Sequence, residues 1–222
     1  MSAAGQTGKI KQDHDLKDFF SFRLSSHPVV TDTSTMSEQL SLTDHFLIAM
    51  PALHDPNFFH SVTYICEHNE EGAMGITINR PLDITLGEIL RQTEIPCDVE
   101  SINDTPVFLG GPVQNERGFV IHRPHGEWDA TLLASDEICV TSSKDILEAI
   151  AEGSAPEDCL VALGYAGWSD GQLEHEIAEN AWISVPASGD IIFNTPYSQC
   201  WEAAAAHAGI DLSRLSNDIG HA

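Results

Sequence analysis

The fold is decided by a stretch near the start of the apolar sequence, SVTYICEHNEEGAMGITIN, residues 61–79. Its two runs 62–67 and 75–79 are rich in β-branched residues, which favour strands. The polar link between them, 68–72, contains Asn and Gly, which favour tight turns. Two such runs joined by a turn predict a β-hairpin.

Further strands and helices are predicted on the C-terminal side of this hairpin. Apolar, β-branched runs predict strands at 107–109, 118–122, 160–163, 182–185 and 190–193. Periodicity and capping residues predict helices at 82–91 with Asp83 as a cap, from Ser142 onward, at 172–180, and after Thr195. In the last helix we expect Thr195 as the cap, Pro196 at the first position and Gly209 at the end. Hairpin-like pairs beside helices predict a mixed α/β (α+β) domain with a compact, partly antiparallel sheet and flanking helices.

The charge of the chain excludes two classes of partner. The 222 residues carry 34 acidic and 10 basic side chains, a formal net charge of −24. A nucleic-acid surface needs Lys and Arg clustered on one face, and an anionic membrane attracts the same residues. Direct binding to nucleic acid or to a membrane surface is therefore not expected. A hydrophobic content of 42% is sufficient for a packed core, so global disorder is not expected.

The sequence divides near Thr35. Residues 1–35 are polar and lack sustained periodicity, so we interpret them as a disordered extension or as the product of a mis-called start. Their four acidic and four basic residues cancel, which assigns the whole net charge to residues 36–222. That second segment has the length of one domain.

The cysteines and the apolar runs indicate a compartment. Five cysteines at irregular spacing, without a CxxC pair, are typical of reduced thiols rather than of a disulfide framework. The sequence has no secretory apolar region and no run long enough to cross a bilayer. We therefore expect a cytoplasmic protein.

Several motifs together resemble a known family. They are HFLIAMP (45–51), SVTYICEHN (61–69), GAMGITINRP (72–81), FLGGP (108–112) and GYAGWSDGQLE (164–174). With this combination, the sequence from about residue 40 to its end is identified as a member of the YqgE/AlgH family of small bacterial proteins. The resemblance implies a mixed α/β fold, a cytosolic setting and no established molecular activity. One branch of the family is described as a regulator of transcription connected with alginate production, and the resemblance assigns no catalytic residues.

The segment GWSDG, residues 167–171, matches the GxSxG pattern of a serine nucleophile. It lies between a predicted strand and a predicted helix, where a nucleophile elbow would hold Ser169 at a strained turn. Asp190 and two later histidines follow in the order Ser, Asp, His. The core is short for an α/β-hydrolase and no HGGG-type oxyanion element precedes the motif, so a serine hydrolase is the alternative hypothesis. The competing structural explanation is that Ser169 or Asp170 caps the following helix.

The same segment supports a second alternative. Gly164, Gly167 and Gly171 let backbone amides approach a ligand, and a helix N-terminus follows them. A small anionic ligand or a nucleotide would then bind the Gly164–Gly171 loop. However, the spacing is neither a Walker A motif nor GxGxxG, and Asp170 would repel an anion. Tight packing of strand against helix is the competing explanation.

The leading hypothesis is a non-enzymatic binding or regulatory protein, with any effect on transcription being indirect. Its contact with an unidentified protein or small-molecule partner is expected at the hairpin turn and the 164–174 loop, with Trp168 partly exposed as an anchor. The candidate residues are Glu67, His68, Asn69, Gly72, Gly164, Gly167, Trp168, Gly171, Gln172 and Glu174. Neither Cys66 with His68 nor His122 with His125 has the ligand set of a metal site, so no metal or other cofactor is expected.

Overall fold

The computed structural model describes residues 41–97 and 99–211. The predicted extension, residues 1–35, lies outside the described residues. The strands are β1 (His45–Ala49), β2 (Val62–Asn69), β3 (Gly72–Thr77), β4 (Pro81–Thr85), β5 (Pro106–Leu109), β6 (Val113–Arg123), β7 (Thr131–Leu133), β8 (Cys139–Thr141), β9 (Asp158–Ser169) and β10 (Trp182–Pro186). The helices are α1 (Leu86–Gln92), α2 (Glu100–Asn103), α3 (Lys144–Ala151), α4 (Gln172–Ala178), α5 (Gly189–Phe193) and α6 (Cys200–His207).

Within these ranges the strands form one mixed sheet, in the order β10-β1-β2-β3-β9-β6-β8-β7. Strand β5 pairs in parallel with β9, and β4 pairs with β5; the other pairs are antiparallel. The long strand β9 pairs with β6 along its first half and with β3 along its second half. The predicted fold class, a mixed fold with a partly antiparallel sheet and flanking helices, is confirmed.

The central hairpin is also confirmed. Strands β2 and β3 pair from Thr63 opposite Thr77 to Asn69 opposite Gly72, with a bulge at Cys66. Gly72 has a φ of +129°, and a Cβ atom there would lie 2.1 Å from the carbonyl oxygen of Trp168. Only glycine therefore lets the hairpin end approach β9 this closely.

Helices cover both faces of the sheet. The neighbours Phe46 and Leu47 of β1 belong to different core clusters because adjacent side chains on a strand point to opposite faces. Phe46 packs in the cluster that also holds residues of α5 and α6, and Leu47 packs in the cluster that holds Leu173 of α4. A third cluster joins α1 and α3 to the sheet. In ranges 41–97 and 99–211, every helix is too short or too polar to cross a membrane.

The first helix begins later than predicted. Asp83 lies in β4, and α1 begins at Leu86 with Thr85 as its cap. The Thr85 hydroxyl accepts a hydrogen bond from the Glu88 amide, and the Glu88 carboxylate accepts one from the Thr85 amide. This capping box satisfies two backbone donors and requires the residue directly before the helix, which is Thr85 and not Asp83.

The predicted strand at 190–193 is wrong, because this segment is the helix α5. Its amides bond locally: the amides of Ile191 and Ile192 donate to the Ser188 carbonyl, and Asn194 donates to Asp190. Two adjacent buried isoleucines fit either a strand or a short helix, so periodicity alone could not decide.

The helices predicted from Ser142 and after Thr195 also begin later than expected, whereas α4 begins at Gln172 as predicted. The Thr195 hydroxyl donates to the Asp190 carbonyl instead of capping, and a 3₁₀ turn (Tyr197–Gln199) precedes α6. The predicted end is confirmed, since Gly209 adopts a φ of +74° after α6. In α3, the helix begins at Lys144 while the Ser142 hydroxyl accepts a hydrogen bond from Arg117.

Candidate functional site

The tertiary structure brings the two predicted site segments together. Strand β3 pairs with the end of β9, so that Gly72 lies opposite Ser169 and Ala73 opposite Trp168. The turn of the hairpin and the 164–174 segment are therefore direct neighbours, although about 100 residues separate them in sequence. We call this region the hairpin–loop junction, comprising residues 67–72 and 164–176.

The contact between His68 and Glu174 connects the two segments of the junction. The Nδ1 atom of His68 accepts a hydrogen bond from the Leu42 amide at 2.9 Å. The proton of the neutral ring must then lie on Nε2, which donates to Oε1 of Glu174 at 2.8 Å. The His68 side chain is only 7% exposed, whereas the Glu174 side chain is 35% exposed, so the imidazole end of this bond is buried and the carboxylate reaches the surface. His68 is thereby fixed in one orientation and serves as a structural link.

A second network centres on Glu176, which the sequence reasoning did not single out. Its carboxylate accepts hydrogen bonds from the indole nitrogens of Trp168 and Trp182 at 2.9 and 2.8 Å, and from the amide of Gln172 at 2.9 Å. Two apolar rings are thus buried with their N–H groups satisfied. In the sequence, the only indication of Glu176 was its position two residues after the motif of residues 164–174.

Trp168 is not the exposed anchor that we predicted. Its exposed fraction is 6%, because its position on β9 directs the ring inward against Phe58 and Trp182. The alternation of side chains along a strand decides this outcome, and it could be assigned only once the strand was known to continue through Ser169. A partner cannot use this ring as a surface contact.

Ser169 lacks the geometry of a nucleophile. Its amide and its hydroxyl both donate to the side-chain oxygen of Gln172, at 3.1 and 3.3 Å. In the described part of the chain, no histidine or carboxylate lies within hydrogen-bond distance of its hydroxyl. The left-handed residue is Gly171, with a φ of +71°, so Ser169 is not held at a strained turn.

The prediction that Ser169 or Asp170 caps the next helix is wrong. Gly171 occupies the N-cap position of α4, and no side chain bonds to the helix amides there. The chain reaches the helix through the left-handed conformation of Gly171, which leaves both side chains outside capping distance.

Gly164 is used for packing. It has a φ of +72°, and a Cβ atom there would lie 2.6 Å from the carbonyl oxygen of Gly111. The backbone of β9 therefore crosses the 110–111 segment in direct contact, which leaves no space for an anion at that glycine. Gly167 and Gly171 are exposed at the surface of the junction.

The polar side chains of the hairpin turn stabilise it. The Asn69 side chain accepts a hydrogen bond from the Glu71 amide and donates one to the Glu67 carboxylate, both within 2.9 Å. Asn69 thus holds the turn in the manner typical of Asx turns. The ten predicted residues are all in the junction, and partner binding at its exposed face stays a prediction.

The two residue pairs considered as metal ligands, Cys66 with His68 and His122 with His125, have other partners. His122 bonds to Thr141 and to the Pro124 carbonyl, while His125 contacts the Cys139 thiol. Cys66 is buried, and its thiol donates to the Tyr64 carbonyl. Across residues 41–97 and 99–211, no group of three or more His, Cys, Asp or Glu side chains is arranged to hold a metal ion.

A separate surface depression was not predicted. We call it the aromatic cleft; it has a volume of about 490 Å³ and brings together three segments that are distant in sequence. Its lining residues are Phe59, His60, Asn79, Arg80, Pro81, Tyr197, Ser198, Trp201 and Glu202.

One side of the cleft is a stack of three rings. The rings of Phe59 and His60, and those of His60 and Trp201, are nearly parallel with centroids 3.9 Å apart. His60 adopts a φ of +55°, which is uncommon for a residue with a side chain. Asn79 holds this conformation, because its side chain donates to the His60 carbonyl and accepts from the Val62 amide. Partial burial lowers the pKa of His60 below its usual value.

The cleft lining also carries exposed groups. Tyr197 is 44% exposed and packs edge-on against Phe108, and Phe59 is 47% exposed. The guanidinium of Arg80 makes no hydrogen bond, ion pair or ring contact with any residue of 41–97 or 99–211. An exposed aromatic surface beside an arginine without a partner is the combination that binding sites use.

The fold and these sites define a class: a mixed α/β protein with a tightly bonded junction and an open aromatic cleft. The sequence pattern described as AlgH-like matches residues 46–213, and the chain belongs to this family.

Relatives of the same family cover nearly all of the fold. The chain is 60% identical over 179 residues to a UPF0301 protein of Nitrosococcus oceani, covering 81% of this chain and 96% of that one. It is 57% identical over 187 residues to a UPF0301 protein of Thioalkalivibrio sulfidiphilus, covering 84% and 100%. These values confirm the family resemblance seen in the motifs.

Solved structures agree with the architecture. The solution structure of AlgH from Pseudomonas aeruginosa matches with a TM-score of 0.69 and 44% identity, covering 85% of this chain and all of that one. A crystal structure of a protein from Corynebacterium diphtheriae matches with a TM-score of 0.63 and 20% identity, covering 82% and 95%. The second match shows the shared fold alone.

Proposed function

We propose that this AlgH-like protein is a non-enzymatic binding protein with a regulatory role, and that it binds through the aromatic cleft. The observation that carries the proposal is the exposure of Phe59 and Tyr197 beside Arg80. Large exposed rings lie in one depression with a guanidinium that has no partner among residues 41–97 and 99–211, and this arrangement gains nothing for the packing of the fold. A ligand that covers them would bury apolar surface and satisfy the charge.

The absence of enzymatic activity is supported by the surroundings of Ser169. Its hydroxyl bonds to an amide side chain, which cannot accept a proton as a general base does. We expect no labelling of the full chain by a fluorophosphonate, with a known serine hydrolase labelled in parallel as the positive control. Labelling that disappears in Ser169→Ala would contradict this part of the proposal.

A regulatory effect on transcription would be indirect. The net charge of −24 opposes a DNA backbone, and a basic surface patch is required for direct binding. We expect no change in the fluorescence anisotropy of a labelled duplex at low salt when the full chain is added. Salt-sensitive, saturable DNA binding would contradict the indirect route.

The proposal includes a cytoplasmic setting, which the cysteines support. All five are free thiols, and three of them are buried. Burial raises the pKa of Cys200 to about 11, so its thiol is protonated and unreactive at neutral pH. Such thiols are typical of proteins that fold in a reducing compartment.

The main test is a thermal-shift screen of the full chain against metabolites, nucleotides and metal ions. A compound that binds the folded state must raise the unfolding temperature. We expect Tyr197→Ala to reduce that shift, while Leu133→Ala, which removes an exposed side chain outside the cleft, leaves it unchanged. A compound that shifts the wild type and Tyr197→Ala equally would place binding outside the cleft.

A further inference from the structure

We propose that the aromatic cleft selects a planar aromatic molecule that carries one carboxylate group. This inference rests on the proposed function and deepens it by naming the ligand class. Three observations carry it: the parallel stack of rings, the guanidinium of Arg80, which has no partner within the described part of the chain, and the acidic residue Glu202 on the same cleft.

The ring stack favours a flat ligand. Interplanar angles of 19° and 20° with centroids 3.9 Å apart make Phe59, His60 and Trp201 a column of stacked rings. Both faces of the middle ring, His60, are covered, so a flat ligand can extend the column only at an outer ring, and Phe59 at one end is 47% exposed. The indole nitrogen of Trp201 donates to the Ala49 carbonyl at 2.9 Å, which fixes the ring in its plane. A planar ligand therefore meets a surface that is already ordered, and stacking costs little side-chain entropy.

Arg80 favours a carboxylate. A guanidinium presents parallel N–H donors that match the two oxygens of a carboxylate. Three other basic side chains in the described ranges have partners, since Arg117 bonds to Ser142, Arg123 bonds to Asp158, and Lys144 lies 3.4 Å from Glu148. Arg91 is exposed on α1 and does not belong to the cleft lining. Arg80 differs from these in lining an open cleft while no acidic residue of 41–97 or 99–211 lies within ion-pair distance, so its charge is available to a ligand.

The surrounding charge limits the ligand to a single negative group. Glu202 lines the same cleft, and the whole protein carries a net charge of −24. One guanidinium balances one anionic group, whereas the further charges of a di- or triphosphate would face Glu202 without compensation. The stacked rings alone would also accept a nucleotide base. The acidic surroundings therefore provide the discrimination between a singly charged aromatic ligand and a nucleotide di- or triphosphate.

The test is isothermal titration calorimetry of the full chain with four probes. Indole-3-carboxylate has the ring and the charge, indole-3-carboxamide has the ring alone, acetate has the charge alone, and ATP has a ring with several charges. We expect indole-3-carboxylate to bind at least tenfold more tightly than each of the other three, because only it satisfies both the stack and Arg80.

Variants separate the contribution of Arg80 from the contribution of the aromatic side chains. Arg80→Gln is expected to weaken carboxylate binding at least tenfold and to leave carboxamide binding unchanged. Arg91→Gln, which removes an exposed arginine on α1 that is not part of the cleft lining, is the matched control and should change neither. Tyr197→Ala should weaken both indole probes equally, and circular dichroism establishes that each variant is folded.

The outcomes distinguish this inference from the proposed function. Equal binding of carboxylate and carboxamide, an unaffected Arg80→Gln variant, or tighter binding of ATP would overturn the ligand class. If Tyr197→Ala still weakened the bound probe, the cleft would remain a binding site. Absence of binding by all four probes would overturn the inference, and a thermal-shift screen without a stabilising compound would overturn the proposed function as well.

Discussion

The Nε2 atom of His68 lies 2.8 Å from Oε1 of Glu174, across a sequence separation of 106 residues. The other ring nitrogen of His68 accepts a hydrogen bond from the Leu42 amide. One imidazole thus joins the segment before β1, the central hairpin and the helix α4. The junction is stabilised by this side chain as well as by the strand pairing of β3 with β9.

Replacing His68 by Ala should therefore destabilise the fold by about 1–3 kcal/mol, the usual cost of losing a hydrogen bond to a charged group and leaving its partner unsatisfied. Urea denaturation of the full chain measures the free energy of unfolding. The control is His175→Ala, since His175 is exposed and its ring lies 3.4 Å from the exposed carboxylate of Glu179, at the end of the same helix. We expect that variant to change stability by less than about 0.5 kcal/mol; equal losses in both would show that the His68 contact is unimportant.

The stability of the fold should depend more on the hydrogen-bond acceptor oxygens of Glu176 than on its negative charge. In Glu176→Leu, the indole N–H groups of Trp168 and Trp182 lose their acceptor, at a cost of about 2–4 kcal/mol. Glu176→Gln keeps one acceptor oxygen and should lose less. Guanidinium denaturation followed by tryptophan fluorescence measures both, and Leu and Gln variants of equal stability would contradict the proposed role of the carboxylate.

Two glycines with the same backbone conformation should respond differently to Ala. Gly164 and Gly153 both have a φ of +72°, so Ala is strained at either site by about 1–2 kcal/mol. At Gly153 the added methyl meets nothing within 4 Å, whereas at Gly164 it lies 2.6 Å from the Gly111 carbonyl. Gly164→Ala should therefore lose about 2–5 kcal/mol in all, because overpacking adds to the strain. Similar unfolding midpoints for the two variants would refute the close backbone crossing.

Stability should fall when the pH drops below about 6.5, the ordinary pKa of histidine. His122 is fully buried beside Thr141 and Trp128, and burial lowers its pKa in the folded state. The unfolded chain therefore binds a proton at a higher pH than the folded chain. Between the two pKa values, acidification favours unfolding, and this loss is complete below the folded pKa.

The pH dependence is measured as the free energy of unfolding at pH 7.5 and at pH 5.5. His122→Asn should show a smaller difference between the two pH values than the wild type. His54→Asn, which changes an exposed histidine, should retain the wild-type difference. A His122→Asn variant with an unchanged pH dependence would assign the effect to another group.

The local features of the fold were accessible from the sequence. The hairpin of β2 and β3 followed from β-branched runs around a polar turn, and the end of α6 followed from Gly209. These features depend on residues that are neighbours in the chain. Segment 190–193 was predicted wrongly because its two buried isoleucines fit either a strand or a helix, and packing decided between them.

The candidate sites were accessible only in part. The junction segments stood out by their motifs, yet the burial of Trp168 depended on the full length of β9 and on the position of Trp182. The aromatic cleft could not be predicted at all. Its lining comes from residues 59–60, 79–81 and 197–202, and no periodicity connects segments that lie so far apart.

By itself, the sequence determined the acidic charge, the mixed fold class, the central hairpin and membership of a family. These properties depend on composition and on short-range preferences, which the chain carries before it folds. Only the tertiary structure decided that the junction is occupied by its own hydrogen bonds and that Phe59, Tyr197 and Arg80 share an open cleft. The physical reason is that hydrogen-bond partners and exposed surfaces are set by long-range packing, which pairs residues regardless of their distance along the chain.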